Sequence, residues 1–316
     1  MPRMHSSDRR RGGSDTLDPG EAATRVGTAL AQQAAREMAE PLAGGLYVVA
    51  TPIGNLGDMT VRAVTTLARA DAILCEDTRV SRTLLERYAI ERPLRAFHEH
   101  NEDAEQARVL AEIAGGQAIA LISDAGTPLL SDPGFKLVRA AIAAGHPVTA
   151  LPGASAILTG LALSGLPTDG FFFGGFLPNK QAARRTRLEA LAAIPGSIVL
   201  FESPSRIADA LADVAAVLGD REVVVARELT KRFEEVRRGL AAVLAAELDA
   251  HPIKGEIVLV IAPAPPREVS DAEIESALRS ALATSSLRDA VRLVTDDLGA
   301  ARSRVYQTGL RLKDEA

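Results

Sequence analysis

The feature that most constrains the fold of this chain is a repeated alternation of short apolar runs with amphipathic segments between residues 45 and 165. Each apolar run ends abruptly in a turn rich in polar residues, Gly or Pro. This alternation is typical of βα units whose strands form a buried, mostly parallel sheet with helices on both faces. We predict five such units, with strands at 46–50, 72–75, 94–97, 118–122 and 148–151.

The segment after the fourth predicted strand is the first candidate for a binding site. It reads Ser-Asp-Ala-Gly-Thr-Pro over residues 123–128, where Gly126 permits a positive φ and Pro128 removes a backbone donor. Asp132 followed by Pro133 matches the N-cap and the first position of the next helix. In open α/β sheets ligands bind at loops beyond the carboxyl ends of strands, because free N–H groups are exposed there.

The pattern changes beyond Gly165 and Pro167, which indicate a domain boundary. The second sheet is expected to be mixed, because one connection between its strands is too short for a crossover helix. Its predicted strands are 171–176, 197–201, 222–226, 234–238 and 256–261, with helices at about 181–191 and up to 218. Three short helices are predicted at 271–283, 286–298 and 300–312.

We therefore expect an α/β fold with two α/β domains and a small C-terminal helical unit. Residues 1–43 have no sustained apolar stripe and are interpreted as a mobile extension. The remaining parts are an N-terminal domain with a mostly parallel sheet (44–166), a C-terminal domain with a mixed sheet (167–264), and a linker with the helical unit (265–316).

Composition narrows the class of protein. With 47% hydrophobic and 24% charged residues, the chain resembles ordinary soluble globular proteins. A formal charge of −5 and an aromatic content of 3% disfavour a uniformly basic surface and a base-stacking platform, so any nucleic acid must meet local basic patches. No apolar run reaches the roughly 20 residues of a membrane helix, and residues 1–20 lack a secretory apolar region. We expect a cytoplasmic protein that contacts no membrane.

Several kinds of site are disfavoured. The chain has neither a Gly-x-x-x-x-Gly-Lys-Ser/Thr loop nor a Gly-x-Gly-x-x-Gly turn after its first strand, which argues against nucleoside triphosphatases and nicotinamide dehydrogenases. His98 and His100 have no clear third ligand, so no metal site is expected. Cys75 lies in an apolar strand, which favours a buried thiol over a nucleophile.

Five motifs at strand ends, taken in order, carry a family resemblance. They are Thr-Pro-Ile-Gly-Asn-Leu-Gly-Asp (51–58), Glu-Asp-Thr-Arg (76–79), Ser-Asp-Ala-Gly-Thr-Pro with Ser-Asp-Pro-Gly (123–128 and 131–134), Leu-Pro-Gly (151–153) and Ala-Arg-Glu-Leu-Thr-Lys (226–231). Together they closely resemble the bacterial 16S rRNA (cytidine-2′-O)-methyltransferases, a family of the tetrapyrrole-methylase-like superfamily. The resemblance runs from about Leu46 to Ile261 and, more weakly, through the C-terminal helices.

The resemblance implies a cleft between the two domains that binds S-adenosylmethionine, usually in a homodimer, with 16S rRNA of the small ribosomal subunit as the partner. The chain departs from the wider superfamily at Gly126-Thr127-Pro128, where tetrapyrrole methylases tend to have Gly-Asp-Pro. The cofactor-binding residues that it implies are Pro52, Gly54, Asn55, Gly126, Thr127, Pro128, Leu130, Pro152, Gly153, Ser155 and Ala156.

The implied reaction is transfer of a methyl group to the 2′-oxygen of a cytidine in the decoding region. Our hypothesis is that Asp77 or Glu228 accepts or relays the proton and that Lys231 steadies the oxyanion or a phosphate. An ion pair of Asp77 with Arg79, and a surface ion pair of Glu228 with Lys231, are equally weighted alternatives.

Two groups of basic residues are candidate RNA contacts, although a solvated face is the more frequent reason for such a pattern. The first lies near Lys180 and comprises Arg184, Arg185 and Arg187; the second comprises Arg302 and Arg304, with Arg311 and Lys313 further along the chain. Two other functions stay open: methylation of a small molecule such as a tetrapyrrole, and a non-catalytic assembly factor that binds RNA and senses the cofactor.

Overall fold

The computed structural model describes residues 18–98, 101–265 and 269–314. The first sheet has five parallel strands in the spatial order β3-β2-β4-β1-β5. These strands are β1 Gly45–Val49, β2 Ala72–Cys75, β3 Leu94–Ala96, β4 Ala118–Leu121 and β5 Val148–Leu151. The helices that follow them are α2 Val61–Arg69, α3 Thr78–Arg87, α4 Glu102–Ala114, α5 Phe135–Ala143 and α6 Ala156–Ser164.

The helices of this domain cover both faces of the sheet. Leu67 of α2 and Leu85 of α3 pack with Ile73 on one face, whereas Val109 of α4 and Leu137 of α5 belong to the core on the other face. The crossovers after β1 and β2 therefore lie on one side and those after β3 and β4 on the other. The loops that follow the adjacent strands β1 and β4 diverge at this switch of sides, which is where open α/β sheets bind ligands.

The second sheet is mixed, as predicted, with the spatial order β6-β7-β10-β8-β9. β6 and β7 are parallel, and the remaining neighbours are antiparallel. The strands are β6 Phe171–Phe176, β7 Ser197–Glu202, β8 Glu222–Arg227, β9 Glu235–Leu240 and β10 Ile257–Ile261. The helices α7 Gln181–Leu191, α8 Ile207–Leu218 and α9 Ala241–Ala250 cover its outer face.

Helix α6 connects the two domains. It follows β5 of the first sheet, but its Ile157 and Leu161 pack against Val224 and Val258 on the inner face of the second sheet. Ile53, from the loop after β1, belongs to the same apolar cluster. The loops of the first sheet and the inner face of the second sheet are thereby held against each other.

The C-terminal helices form a unit with its own small core. They are α10 Asp271–Leu282, α11 Leu287–Leu298 and α12 Arg302–Asp314, within two residues of the predicted bounds at every end. Ser270 and Glu273 form a capping box at the start of α10, and Ser286 caps α11. Ile274, Val291 and Val305, one from each helix, are buried together.

Two helices were not predicted. Helix α1, Pro19–Met38, lies within the segment interpreted as an extension, and Asp18 caps it. It contacts α2 through a hydrogen bond from Thr65 to Glu37, yet none of its residues is buried. Helix α9 is rich in alanine, so its sequence lacks the strongly amphipathic pattern on which such a prediction depends.

Candidate active site

The loop between β4 and α5 forms one wall of a cleft between the sheets. Gly126 has φ +79°, and its backbone pairs with Thr51 in both directions, at 2.8 and 3.0 Å between N and O. The Thr127 hydroxyl donates to the carbonyl of Ala154 at 3.2 Å. Both groups of the Gly126 backbone are thus used within the protein. The N–H and C=O of Gly126 connect the loops after β1 and β4. The sequence had predicted free N–H groups in this loop for a ligand.

Asp132 does not cap the next helix, so the prediction made for Asp132 and Pro133 is wrong. Helix α5 begins at Phe135 and is preceded by Gly134 with φ +116°. Two non-glycine residues of the same loop, Leu129 and Ser131, also have positive φ, at 78° and 72°. These turns carry Asp132 away from the helix and into the wall of the cleft.

The N-terminus of α6 forms a second wall. The Ser155 hydroxyl caps the helix by accepting from the Leu158 N–H at 3.4 Å. Gly153 passes so close to β1 that a Cβ atom there would lie 2.8 Å from the Cβ of Ala50, so the turn needs glycine. The amino end of α6, with its partial positive charge, consequently opens onto the cleft.

The cleft encloses a cavity of about 420 Å³, within the range of small-molecule sites. Of the eleven predicted cofactor-binding residues, five line it: Gly126, Thr127, Leu130, Ser155 and Ala156. The other six do not line it, namely Pro52, Gly54, Asn55, Pro128, Pro152 and Gly153. Some of these act in the fold: Pro52 and Pro128 are buried, and Gly153 makes the close turn beside β1.

The second sheet contributes lining residues that were not predicted from the sequence. The apolar ones include Phe176, Phe201 and Val258, and the polar ones include Glu202 and Glu256. Glu202 is 3% exposed, and its Oε1 accepts from the N–H of Ser203 at 2.7 Å and from Arg206. Its Oε2 is buried and has no hydrogen-bond partner among the described residues. A buried acceptor without a donor is costly, so a ligand that supplies a donor is expected here.

The loop after β1 lies against the loop after β8. The backbone N–H of Asn55 donates to the Thr230 hydroxyl at 3.1 Å, and a Cβ at Gly54 would lie 2.4 Å from the Cγ of Lys231. Gly54 and Asn55 therefore join the two domains at the rim of the cleft.

Lys231 is the centre of a charged group at this rim. Its ammonium donates to Glu228 and Glu256, at 3.0 Å in each case. Burial disfavours the charged form of Lys231, but the hydrogen bonds to Glu256 and Glu228 outweigh it and raise its pKa. The pKa of Glu228 is lowered by the N–H of Glu256 and by Lys231. Glu228 and Lys231 therefore form the ion pair that the sequence analysis gave as the alternative to a catalytic role. Glu256, the other partner of Lys231, lines the cavity.

Asp77 is also engaged in an ion pair. Its carboxylate caps α3 by accepting from the Arg79 N–H at 2.8 Å, and the Arg79 guanidinium approaches to 2.7 Å. These hydrogen bonds lower the pKa of Asp77 to about 2. A carboxylate with so low a pKa is a weak base. The Asp77 N–H donates to the Asp124 carboxylate at 3.2 Å, which fixes a residue that does line the cavity.

The surroundings of Asp132 shift its pKa in the opposite direction. Burial raises its pKa to about 6, and the negative charges of Glu76 and Asp124 add to the rise. Among the carboxylates that follow β2 and β4, Asp77 is held ionised, whereas the pKa of Asp132 lies close to neutrality. Carboxylates whose pKa is raised towards neutrality, as that of Asp132 is, are frequent in active sites.

The first group of basic residues is largely structural. Arg184 is 4% exposed and, with Arg185, bonds the carboxylate of Asp213 at 2.7 Å. This burial removes Arg184 from the candidate RNA contacts and leaves Arg185 only partly available; Arg187 is half-buried. In the C-terminal unit Arg302 is exposed, and Arg304 pairs with Asp271 at 2.7 Å.

Within residues 18–98, 101–265 and 269–314 no cluster of three or more His, Cys, Asp or Glu side chains is arranged to hold a metal ion. His100 lies outside the described residues. Cys75 is fully buried, and burial raises the pKa of its thiol, which confirms the prediction of a buried thiol. None of the described helices has the length and apolar character that crossing a membrane requires.

Family models match two parts of this chain. A model of the tetrapyrrole (corrin/porphyrin) methylases matches residues 45–245, and a model of the RsmI C-terminal HTH domain matches residues 268–313. Because the first match spans more than half of the 316 residues, the chain belongs to the tetrapyrrole methylase family.

Several similar proteins carry the name ribosomal RNA small subunit methyltransferase I. The protein from Mesorhizobium japonicum is 49% identical over 278 residues, which are 87% of this chain and 95% of that protein. The protein from Pseudomonas aeruginosa is 44% identical over 279 residues, which are 85% of this chain and 98% of that protein.

Solved structures agree on the fold. The methyltransferase CobJ superposes with a TM-score of 0.53 at 20% identity, covering 72% of this chain and 97% of that one. Diphthine synthase superposes with a TM-score of 0.53 at 15% identity, covering 69% and 89%. At these identities the likeness concerns the fold alone, and it confirms the predicted pair of α/β domains.

Proposed function

We propose that this protein transfers a methyl group from S-adenosylmethionine to the ribose 2′-oxygen of a cytidine in the decoding region of 16S rRNA. The family match and the name shared by the relatives support the methyl transfer and the ribosomal substrate. The observation that carries the proposal is the cavity between the sheets, walled by the Gly126–Thr127 turn and the amino end of α6.

The residues of the cavity fit the methyl donor. Ser155 and Ala156 lie at the amino end of α6, where the helix favours a carboxylate. The orphaned Oε2 of Glu202 suits a hydroxyl or amine donor, and Phe176 and Phe201 supply apolar surface for a purine ring. When bound, S-adenosylmethionine supplies a methyl group that its sulfonium makes electrophilic.

The chain's own residues then have three tasks: to align the acceptor oxygen, to remove its proton and to compensate negative charge. Lys231, held between Glu228 and Glu256, is the cation at the rim of the cavity and suits a phosphate of the entering RNA. Glu228 positions Lys231, and the backbone of Asp77 positions Asp124. The 2′-oxygen is a poor nucleophile while protonated, so a nearby base contributes to the rate.

Label transfer tests the proposal. Purified protein is incubated with methyl-labelled S-adenosylmethionine and either small ribosomal subunits from cells lacking this protein or a small-molecule extract. We expect label in 16S rRNA that digestion recovers as 2′-O-methylcytidine. Label in an rRNA base contradicts the ribose assignment. Label only in a small molecule also contradicts it and supports the tetrapyrrole-like alternative. Cofactor binding without any transfer supports the non-catalytic assembly factor.

The C-terminal helical unit is proposed to bind the rRNA. Arg302, at the start of α12, is exposed and is the best candidate for a phosphate contact. We expect Arg302→Glu to weaken rRNA binding and to reduce the slope of log affinity against log salt by about 1. Arg139→Glu, the same charge change on an exposed face of α5, is the matched control. Equal slopes for wild type and Arg302→Glu contradict this contact.

A homodimer in the cytoplasm completes the proposal. Leu158 on α6 and Val243 on α9 are 56% and 58% exposed, and Leu240, the last residue of β9, is 46% exposed. Arg238 of β9 donates to the carbonyl of Ser164, so these elements adjoin. Adjoining exposed apolar side chains support a subunit interface. Light scattering that gives a monomer at micromolar concentration contradicts the dimer.

A further inference from the structure

The roles described so far in the proposed reaction do not include Asp132. Asp132 lines the cavity in the loop between β4 and α5, next to Leu130 and Ser131, which also line it. Three residues around it, Leu129, Ser131 and Gly134, have positive φ, and two of these are not glycine. Such strained backbone persists where the surrounding structure enforces it, often at functional sites.

Carboxylates from both domains surround the cavity in which Asp132 lies. Glu76 and Asp124 are the acidic neighbours on the first domain. Glu202 and Glu256 line the cavity from the second sheet, and these two are paired with Arg206 and Lys231. Among the described residues no cation forms an ion pair with Asp132, and burial together with its acidic neighbours raises its pKa to about 6. It is therefore ionised at neutral pH but has a high affinity for a proton.

The two bases proposed from the sequence, Asp77 and Glu228, are less suitable. The oxygens of Asp77 accept from the Arg79 backbone and guanidinium, and Asp77 is not among the residues that line the cavity. Glu228 accepts from Lys231 and from the Glu256 N–H, and it too is outside the lining. Both have lowered pKa values, which make them weaker bases than an ordinary carboxylate.

We propose that Asp132 is a catalytic residue whose carboxylate accepts the proton of the ribose 2′-hydroxyl during methyl transfer. The inference rests on the proposed function and adds the identity of the base. The bond from the methyl carbon to sulfur breaks as the bond from that carbon to the 2′-oxygen forms. The hydroxyl proton passes to the Asp132 carboxylate, so the sulfonium becomes a neutral thioether and the carboxylate becomes a neutral acid. The proton then leaves to solvent, and no further reactant is needed.

The test compares Asp132→Asn with wild type in single turnovers on small ribosomal subunits. We expect the rate at pH 7.5 to fall by about 10²- to 10⁴-fold, the range that a positioned base contributes. Calorimetry is expected to give an affinity for S-adenosylhomocysteine within about threefold of wild type, because the role assigned to Asp132 is proton transfer. Asp132→Glu is expected to recover part of the rate. Asp103→Asn, which removes a 90% exposed carboxylate of the same domain, is the matched control.

Each outcome bears on the inference separately from the proposed function. If wild type transfers label to the ribose but Asp132→Asn does so within threefold of its rate, Asp132 is not the base. A loss that disappears at saturating cofactor assigns Asp132 to cofactor binding instead, which also overturns the inference. Should Asp132→Asn fail to fold, the wild-type rate against pH decides. We expect it to fall tenfold per pH unit below about pH 6, and a rate independent of pH from 5 to 8 contradicts the role.

Discussion

The loops after β2 and β4 lie at the same edge of the first sheet, and the structure places one aspartate from each loop, Asp77 and Asp132, in opposite environments. Asp77, after β2, caps a helix and pairs with Arg79, so its pKa is about 2. Asp132, after β4, lies in the cavity beside other carboxylates, so its pKa is about 6. The comparison teaches that a carboxylate at a strand end acquires its role from its neighbours. Divergent pKa values of this kind separate a structural group from an acid–base group.

The largest effect is expected on stability, from a substitution in the turn that places Asp132 in the cavity. Gly134→Ala places a Cβ about 2.6 Å from Leu121 Cδ2 at a residue with φ +116°. Strain and overpacking together are expected to lower the free energy of unfolding by about 2 to 4 kcal/mol. Chemical denaturation measures this change. Gly145→Ala, at a φ of +74° with no atom within 4 Å of the added Cβ, is the control for positive φ alone. Equal losses for both variants contradict tight packing at Gly134.

A smaller effect is expected on the pH dependence of stability. The folded-state pKa of Asp132, about 6, lies above the ordinary value of 3.8, so wild type loses stability as the pH rises from about 4 to 6. Asp132→Asn cannot ionise and avoids this loss. We expect the variant to be more stable by about 1 kcal/mol above pH 6, after solvent screening reduces the full shift, and equal to wild type below pH 4. Thermal unfolding across this pH range measures it. A variant less stable than wild type at pH 8 would contradict the raised pKa.

The smallest effect is expected at Asp77. Asparagine also caps helices well, so Asp77→Asn keeps the start of α3 and loses only the charge interaction with Arg79. We expect the single-turnover rate to change by less than about threefold, because a carboxylate of such low pKa contributes little as a base. A drop of 100-fold with normal cofactor affinity would restore Asp77 as the base and reverse the comparison.

The sequence predicts the framework well because short apolar runs and turn residues determine it locally. Strand β2 was predicted with its observed bounds, and the C-terminal helices are marked by Ser270, Ser286 and Gly299 at their ends. The alanine-rich α9 and the solvent-exposed α1 lack such signals. Their formation depends on contacts that a local pattern does not contain.

The site is predictable only in part, because it is built by contacts between distant residues. Asp132-Pro133 has the signature of a helix start, but Gly134 with positive φ shifts the start to Phe135. Arg184 belongs to a basic run in the sequence, yet its partner Asp213 lies 29 residues away and buries it. Glu202 and Ser203 were visible as a polar turn after a predicted strand, the same signal that identified the loops of the first sheet. The same pattern in the second sheet therefore predicts part of the cavity wall that faces the first sheet.

The most direct test of the account is a crystal structure of the protein with S-adenosylhomocysteine and a short cytidine-containing RNA. We expect the ligand sulfur inside the cavity between the Gly126–Thr127 turn and the start of α6. The ribose 2′-oxygen is expected within hydrogen-bond distance, about 2.6 to 3.2 Å, of the Asp132 carboxylate. A ligand bound outside this cavity, or a 2′-oxygen that faces Asp77 or Glu228 instead, would contradict the account.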